Sequence, residues 1–134
     1  MFPPETVILV VDDSEVIRES VRKELLAIGY KAIIEADDGK KALALLEGAS
    51  NTSSPVGLVI SDWNMPNMTG LEFLKKIRAT PKWVNLPFVM LTSASQISEV
   101  VDAISAGVST YVVKPLDGKT IKTKLAGVWA KHHP

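Results

Sequence analysis

The sequence predicts an α/β protein built on a doubly wound, five-stranded parallel sheet with helices on both faces. Three observations predict it. Short apolar runs rich in β-branched residues recur along the chain without the polar alternation of a half-exposed strand, which indicates strands buried on both faces. Segments with the apolar spacing of amphipathic helices separate these runs. Every run except the second ends at a polar or charged residue, so we expect function at the carboxyl edge of the sheet.

Length and charge narrow the class of protein. A chain of 134 residues has the length of one domain, so we expect one compact unit over 1–134. Because there is no cysteine, disulfides and thiolate metal sites are excluded. Fifteen basic residues balance fifteen acidic ones, so the chain carries no net charge that would attract nucleic acid or an anionic membrane. With neither a secretory signal nor an apolar run of membrane-spanning length, the cytoplasm is the expected location.

The first predicted unit is a strand, an acidic turn and a helix. The strand covers residues 6–11 and ends on Asp12 and Asp13. Ser14 is the predicted cap of the helix, and Gly29 is its predicted end. The residues expected on its inward face are Ile17, Val21, Leu25 and Ile28.

The middle of the chain repeats this alternation. A second strand is predicted over 31–36, followed by a turn over 37–39 and a short helix over 40–47. Its inward residues are predicted to be Ala42, Leu43 and Leu46. Residues 48–55 are small and polar and predict a flexible loop, to which we assign no function. The third strand covers 58–61 and ends at Asp62, because Pro66 and Gly70 prevent its continuation.

The last two units follow the same plan. A third helix with inward Leu71, Leu74 and Ile77 ends before Pro81, and a fourth strand over 86–91 ends at Thr92 and Ser93. The fourth helix, capped by Ser95 and ended by Gly107, is predicted to bury Ile97, Val100, Val101 and Ile104. The fifth strand over 110–113 ends at Lys114 and Pro115. Asp117 caps the last helix, whose buried face is predicted to hold Ile121, Leu125, Val128 and Trp129.

Topology brings the polar strand ends together. Right-handed crossovers turn this alternation into a doubly wound parallel sheet, and the commonest order for five strands is 2-1-3-4-5. Strands one and three are then neighbours, so Asp12, Asp13 and Asp62 meet at the topological switch point. Thr92 and Lys114 reach the same edge from strands four and five.

Three clustered carboxylates require protons or cations. At separations of about 5 Å, each pair would repel by roughly 3 kcal/mol at an effective dielectric near 20. Lys114 supplies one positive charge, and oxygen ligands without histidine or cysteine favour a hard ion such as Mg²⁺. A carboxylate nucleophile, a divalent ion, an ammonium and a hydroxyl together fit phosphoryl transfer.

These residues resemble the receiver domains of two-component response regulators, over nearly the whole chain. The motifs are VVDD at 10–13, SDWNMPNMTG at 61–70, LTSAS at 91–95 and YVVKP at 111–115. The second is most similar to that of the single-domain chemotaxis type. The resemblance implies a flavodoxin-like fold.

The resemblance also implies roles for residues. Asp62 would accept a phosphoryl group from a phosphohistidine on a sensor histidine kinase or a phosphotransfer protein. Mg²⁺ would be held by Asp13, Asp62 and the backbone carbonyl of Asn64, with Asp12 acting directly or through water. Lys114 would bind a phosphoryl oxygen. The domain would thus catalyse its own phosphorylation and dephosphorylation, with Asn64 and Ala94 at the positions that tune the latter.

The implied switch links the site to a partner surface. Thr92 would move to bond the phosphoryl group, and Tyr111 would turn inward into the vacated space. This would change the face formed by helix four, strand five and helix five, where a downstream protein docks, while helix one docks the kinase. The Lys114–Pro115 bond would be cis, and the protein would be a monomer able to dimerise once phosphorylated.

Other functions remain open at this point. The chain could be a receiver module cut from a larger hybrid kinase or multidomain regulator. An aspartyl-phosphate phosphatase would commonly carry an aspartate where Asn64 stands, and a flavin-binding module would need a phosphate-cradling loop in place of Asp12-Asp13-Ser14.

Single residues also have plainer interpretations. Asp12 and Asp13 alone could serve as helix-capping acids, Lys114 as a surface charge, and Thr92 and Tyr111 as ordinary strand residues. Trp63 is expected to be exposed. His132 and His133 are expected in a frayed, solvated tail.

Overall fold

The computed structural model describes residues 1–93, 100–114 and 116–134. Its strands are β1 (Val7–Val11), β2 (Ala32–Ala36), β3 (Val56–Asp62), β4 (Phe88–Thr92) and β5 (Thr110–Val113). Its helices are α1 (Glu15–Ile28), α2 (Gly39–Ser50), α3 (Gly70–Arg78), a described part of α4 (Val100–Ser105) and α5 (Gly118–His132). A short 3₁₀ helix, Pro81–Trp83, precedes β4. The alternation of strands and helices is confirmed.

The strands form one parallel sheet in the order β2-β1-β3-β4-β5, which confirms the predicted flavodoxin-like topology. The register keeps the strand ends level. Val11 on β1 pairs with Ala36 on β2 and with Ser61 on β3, and Asp62 pairs with Leu91 on β4. The residues that follow the strands therefore emerge at one edge.

Helices cover both faces of the sheet and create two apolar layers. One layer packs α2, α3 and α4 against the sheet and contains Phe73 and Phe88, whose ring centroids are 5.7 Å apart. The other packs α1 and α5 against the opposite face. Strands enclosed in this way carry continuous apolar sequence, as the runs in the chain indicated.

Side-chain caps set where the helices begin. Ser14 accepts a hydrogen bond from Ile17 N at 3.3 Å, and Asp117 accepts one from Lys119 N at 3.1 Å, so both predicted caps are confirmed. Gly29, at φ 119°, ends α1 in the left-handed region that glycine adopts without strain.

The loop after α2 is shorter than predicted. The helix continues to Ser50, and only residues 51–55 separate it from β3, which begins at Val56 rather than at Leu58. The helix continues because Ala49, in the segment expected to be loop, packs against the apolar layer.

The inward face of α4 was predicted wrongly in part. Val101 is 66 % exposed and Ile104 is 61 % exposed, whereas Val100 and Ala103 are buried. Ala103 belongs to the apolar layer that contains Phe73 and Phe88, so this face of α4 turns inward and the larger side chains face outward. The predicted cap Ser95 and Ile97 lie outside the described residues.

The predicted fraying of the tail is also wrong, although His133 is exposed as expected. His132 belongs to α5, and its Nε2 lies 2.7 Å from the Ser109 hydroxyl. The ring of His133 stacks on Trp129 at 3.6 Å, and Trp129 meets the buried Phe2 edge to face at 5.2 Å. Packing between the two chain ends thus orders the terminus.

Candidate functional site

The turn after β1 holds the first acid of the site. Asp12 is buried, and its backbone N donates to Ala36 O at 3.1 Å. Ser14 N donates to Asp12 Oδ1 at 2.9 Å, and Arg18 Nη1 donates to the Asp12 carbonyl at 2.6 Å. These bonds fix the turn, while the neighbouring Asp13 side chain is exposed.

Asp62, the last residue of β3, is the second buried acid. Its Oδ1 accepts a bond from Trp63 N at 2.9 Å. Gly70 N donates to Trp63 O at 2.8 Å, and a Cβ on Gly70 would collide with the Asp62 carbonyl oxygen, so this close return of the chain requires glycine. Trp63 is buried in the apolar layer, contrary to the expectation that it is exposed.

Lys114 joins the two acids from the end of β5. Its Nζ lies 2.9 Å from Asp62 Oδ1 and 3.2 Å from Asp12 Oδ2, and its side chain is 23 % exposed. Burial alone would lower the pKa of Lys114, but the bond to Asp62 and the charges of both acids raise the pKa above its ordinary value. The ammonium is therefore held in its charged form.

The carboxylates outnumber the cation. Burial and the nearby charge of Asp62 raise the pKa of Asp12, although the Ser14 amide and Lys114 oppose that rise. The electrostatics thus disfavour a second charge beside Asp62. One Lys114 against three acids leaves an excess of negative charge that a divalent ion would offset.

The acids are arranged so that they could hold a metal ion. Asp12, Asp13 and Asp62 each offer one carboxylate oxygen, and these oxygens lie within 4.8 Å of one another. Two of the acids are buried and one faces solvent. An all-oxygen set with an open side fits a hard cation that keeps part of its water shell, as Mg²⁺ does.

The remaining predicted residues lie around this cluster. Thr92 ends β4, fully buried, and its hydroxyl donates to Ser93 O at 3.2 Å. Lys114 N donates to Thr92 O at 2.7 Å. Tyr111 is partly buried against the apolar layer, with Lys124 Nζ 5.0 Å from its ring centroid. The side chain of Asn64 is exposed. Ala94 and Pro115, and with Pro115 the predicted cis bond, lie outside the described residues.

Two supports of the site were missed. Arg18, one turn into α1, anchors the Asp12 turn, and Asp38 holds Asn67 in the loop after β3. A pair of acids before Gly39 at a helix start was a signal for Asp38, but its contact with Asn67 joins residues far apart in the sequence.

Fold and site together define a class of protein: a flavodoxin-like α/β domain with an acidic, lysine-bridged pocket at its topological switch point. The family model described as the response regulator receiver domain matches residues 8–126. The chain belongs to this family.

Individual relatives agree with this assignment. The chain is 40 % identical over 121 residues to a chemotaxis protein CheY homolog of Campylobacter jejuni, covering 90 % of each chain. It is 38 % identical over 118 residues to chemotaxis protein CheY1 of Helicobacter pylori, covering 88 % of this chain and 92 % of that one. The structure of the chemotaxis response regulator CheY4 of Vibrio cholerae superimposes with a TM-score of 0.79 at 34 % identity, covering 92 % of this chain and 98 % of that one. The helices of this chain were also compared with the dimensions of a membrane. Within the described residues, no helix has the length and apolar character needed to cross a membrane.

Proposed function

We propose that this receiver domain, taken as residues 1–134, is a phosphorylation-controlled signalling module whose acceptor is Asp62. One observation carries the proposal. Both hydrogen bonds that the described residues give to the Asp62 carboxylate, from Trp63 N and Lys114 Nζ, end on Oδ1. Oδ2 has no donor among those residues, so one oxygen is anchored and the other is available as a nucleophile.

The acids also supply a place for Mg²⁺. We propose that Asp12, Asp13 and Asp62, whose carboxylate oxygens lie within 4.8 Å of one another, hold the ion together with the backbone carbonyl of Asn64. When bound, the ion would offset the clustered carboxylates and stabilise charge that develops on the phosphoryl oxygens.

The chain's own groups would then carry the transfer. Asp62 Oδ2 forms a bond to phosphorus while the phosphorus–nitrogen bond of a donor phosphohistidine breaks, and the imidazole nitrogen keeps the electron pair. Lys114 binds an oxygen of the transferred group. The donor would be a histidine kinase or a phosphotransfer protein docked at α1.

Output is proposed to pass through the other side of the pocket. Thr92 would bond the phosphoryl group, and Tyr111 would repack in response. The apolar side chains Val101 and Ile104 are exposed on α4, and Lys124 of α5 covers Tyr111 of β5. Exposed apolar residues such as these are suited to bind a downstream protein. The named relatives are chemotaxis proteins, which makes chemotaxis-type signalling the closest proposal for that output.

Intact mass spectrometry tests the acceptor. Incubation with Mg²⁺ and acetyl phosphate should add one alkali-labile phosphoryl group to the wild type and none to Asp62→Asn or to an EDTA-treated sample. Asp37→Asn, which removes the charge of a partly exposed acid paired with Lys41, is the matched control and should be phosphorylated normally. Amide chemical shifts of the phosphorylated sample should change most around β5 and the helices beside it. A folded wild type that binds Mg²⁺ but gains no mass would contradict the proposal.

A further inference from the structure

The loop between β3 and α3 (residues 63–69) carries Asn64, the proposed carbonyl ligand, and it contains an unusual turn. Asn67 has φ 67° and is the sole non-glycine residue with positive φ in the part of the chain that the structure describes. Met68 N donates to Pro66 O at 2.7 Å, which closes a three-residue turn centred on Asn67. Turns of this kind with positive φ are rare and strained, so the surrounding structure must hold them in place.

The N-terminus of α2 holds this turn. Asn67 Nδ2 donates to Asp38 Oδ2 at 3.0 Å, and the buried Asp38 is also the cap of α2, because its Oδ1 accepts from Lys41 N at 2.8 Å. Met68 packs on the first residue of the helix so closely that a Cβ on Gly39 would come within 2.9 Å of it. The loop is therefore seated on the start of α2 through one hydrogen bond and one packing contact.

The same short segment touches the other side of the acidic site. Ala36 O, two residues before Asp38, accepts the bond from Asp12 N at 3.1 Å. Ala36 thus contacts the turn that carries Asp12 and Asp13, and Asp38 contacts the loop that carries Asn64, whereas Asp37 between them pairs with Lys41. Because one rigid strand end and helix start bonds to both, it fixes the separation of the two halves of the site.

We propose that Asp38 is a positioning residue for the cation site. It acts through Asn67, holding the β3–α3 loop at the distance from Asp12 and Asp13 that the ion requires. The proposal rests on the proposed function, because the ion and the Asn64 carbonyl belong to it. Asp38 itself touches neither the ion nor the phosphoryl group.

The two oxygens of Asp38 have separate contacts, and this permits a clean test. Serine at position 38 keeps the helix cap but is too short to reach Asn67. Asparagine keeps the cap and the reach, since its amide can donate to the Asn67 oxygen once that amide turns over. Glycine at position 67 removes the hydrogen bond to Asp38 by removing its donor, and glycine adopts positive φ without strain.

Isothermal titration calorimetry with Mg²⁺ alone is the measurement. Asp38→Ser and Asn67→Gly should each raise the Mg²⁺ dissociation constant about tenfold, as outer-sphere supports of metal sites do. The double variant should be no weaker than either single variant, because both remove the same bond. Asp38→Asn should bind close to the wild-type level although it lacks the charge, and Asp37→Ser should also bind normally.

Hydrogen exchange in the absence of metal adds an independent readout. Asp38→Ser should increase amide exchange at Met68 and Gly70, whose N–H groups close the loop, while Lys41 at the start of α2 stays protected. Unchanged exchange there, or wild-type Mg²⁺ affinity in Asp38→Ser and Asn67→Gly, would overturn the proposal. If Asp38→Asn weakened Mg²⁺ binding as much as Asp38→Ser does, the proposal would be overturned as well. The loss of affinity would then come from the missing negative charge and not from the lost bond to Asn67. A wild type that binds no Mg²⁺ would overturn the proposed function too.

Discussion

Two partly buried cations lie at opposite edges of the sheet, and their partners differ. Lys114, at the carboxyl edge, contacts the carboxylates of Asp12 and Asp62. Arg78 ends α3 at the amino edge, where its hydrogen bonds to the described residues all end on backbone oxygens. Its Nε donates to Gly107 O at 2.9 Å, and its Nη1 donates to Leu86 O at 2.7 Å and Trp83 O at 3.3 Å.

The pKa shifts of the two cations run in opposite directions. Burial lowers the pKa of Arg78, and no carboxylate among the described residues compensates it. Burial acts on Lys114 in the same sense, but the bond and charge of Asp62 and the charge of Asp12 reverse the result. Arg78 has a structural role, because its three hydrogen bonds join the end of α3 to two connecting segments, the one before β4 and the one before β5. Lys114 faces side-chain charges that a metal ion or a phosphoryl group would alter, so its environment is suited to change during function.

The largest expected effect is on stability, from removing Arg78. Arg78→Met removes three hydrogen bonds that the charged guanidinium donates. The backbone carbonyls that accept them, in the segments before β4 and β5, then lose this donor. We expect the free energy of unfolding to fall by about 3 to 4 kcal/mol in urea denaturation. Mg²⁺ affinity measured on the folded variant should be unchanged.

Lys75→Met, at an exposed position on the same helix, is the matched control and should change the free energy of unfolding little. If Arg78→Met were as stable as this control, the hydrogen bonds of Arg78 would not contribute to the stability of the fold. The contrast between a structural Arg78 and a functional Lys114 would then be wrong.

Lys114→Met should have a smaller effect that depends on the metal. Without Mg²⁺ it leaves Asp12 and Asp62 facing each other unpaired, and we expect a loss of about 2 kcal/mol in the free energy of unfolding. Saturating Mg²⁺ should narrow the gap to wild type, because the ion offsets the same carboxylates. The deficit of Arg78→Met should be equal in both conditions.

Urea denaturation with and without Mg²⁺ measures this difference, with the exposed Lys122→Met as control. A deficit in Lys114→Met that is insensitive to Mg²⁺ would show that Lys114, like Arg78, has a purely structural role.

The contrast between the edges also explains what could be predicted from the sequence. Asp12, Asp62 and Lys114 each stand at the end of a predicted strand, so strand order alone was enough to place them together. Their meeting is confirmed, while their chemical roles remain proposals. No sequence pattern identifies Arg78 in this way. Its partners are backbone oxygens, which every residue carries, so the sequence does not show which of them it will bind.

Other features depend on packing that periodicity does not encode. On α4, Val100 satisfies helical spacing with either Ile104 or Ala103, and only tertiary packing selects Ala103 for the buried face. The bond from Asn67 to Asp38 joins residues 29 positions apart and depends on a positive φ that no local pattern required.

The smallest expected effect comes from Asp12, and it depends on pH. Because burial and Asp62 raise the pKa of Asp12 above its ordinary value of 3.8, the folded protein keeps a proton that the unfolded chain has already lost. Stability from this group is therefore complete below pH 3.8 and is lost as pH rises through the raised pKa. Asp12→Asn cannot ionise and retains an oxygen for Ser14 N. Without metal at neutral pH, we expect its Tm to exceed that of wild type by about 3 °C.

The difference should shrink as the solution is acidified through that window, whereas the exposed control Asp102→Asn should follow wild type throughout. Thermal denaturation across pH measures both. Added Mg²⁺ should reverse the order, because the ion stabilises the ionised Asp12 and the asparagine variant binds it more weakly. An Asp12→Asn protein that is less stable than wild type at neutral pH without metal would mean that its bond to Lys114 outweighs the burial of its charge. The interactions of Lys114 at the carboxyl edge would then stabilise the fold as those of Arg78 do at the amino edge.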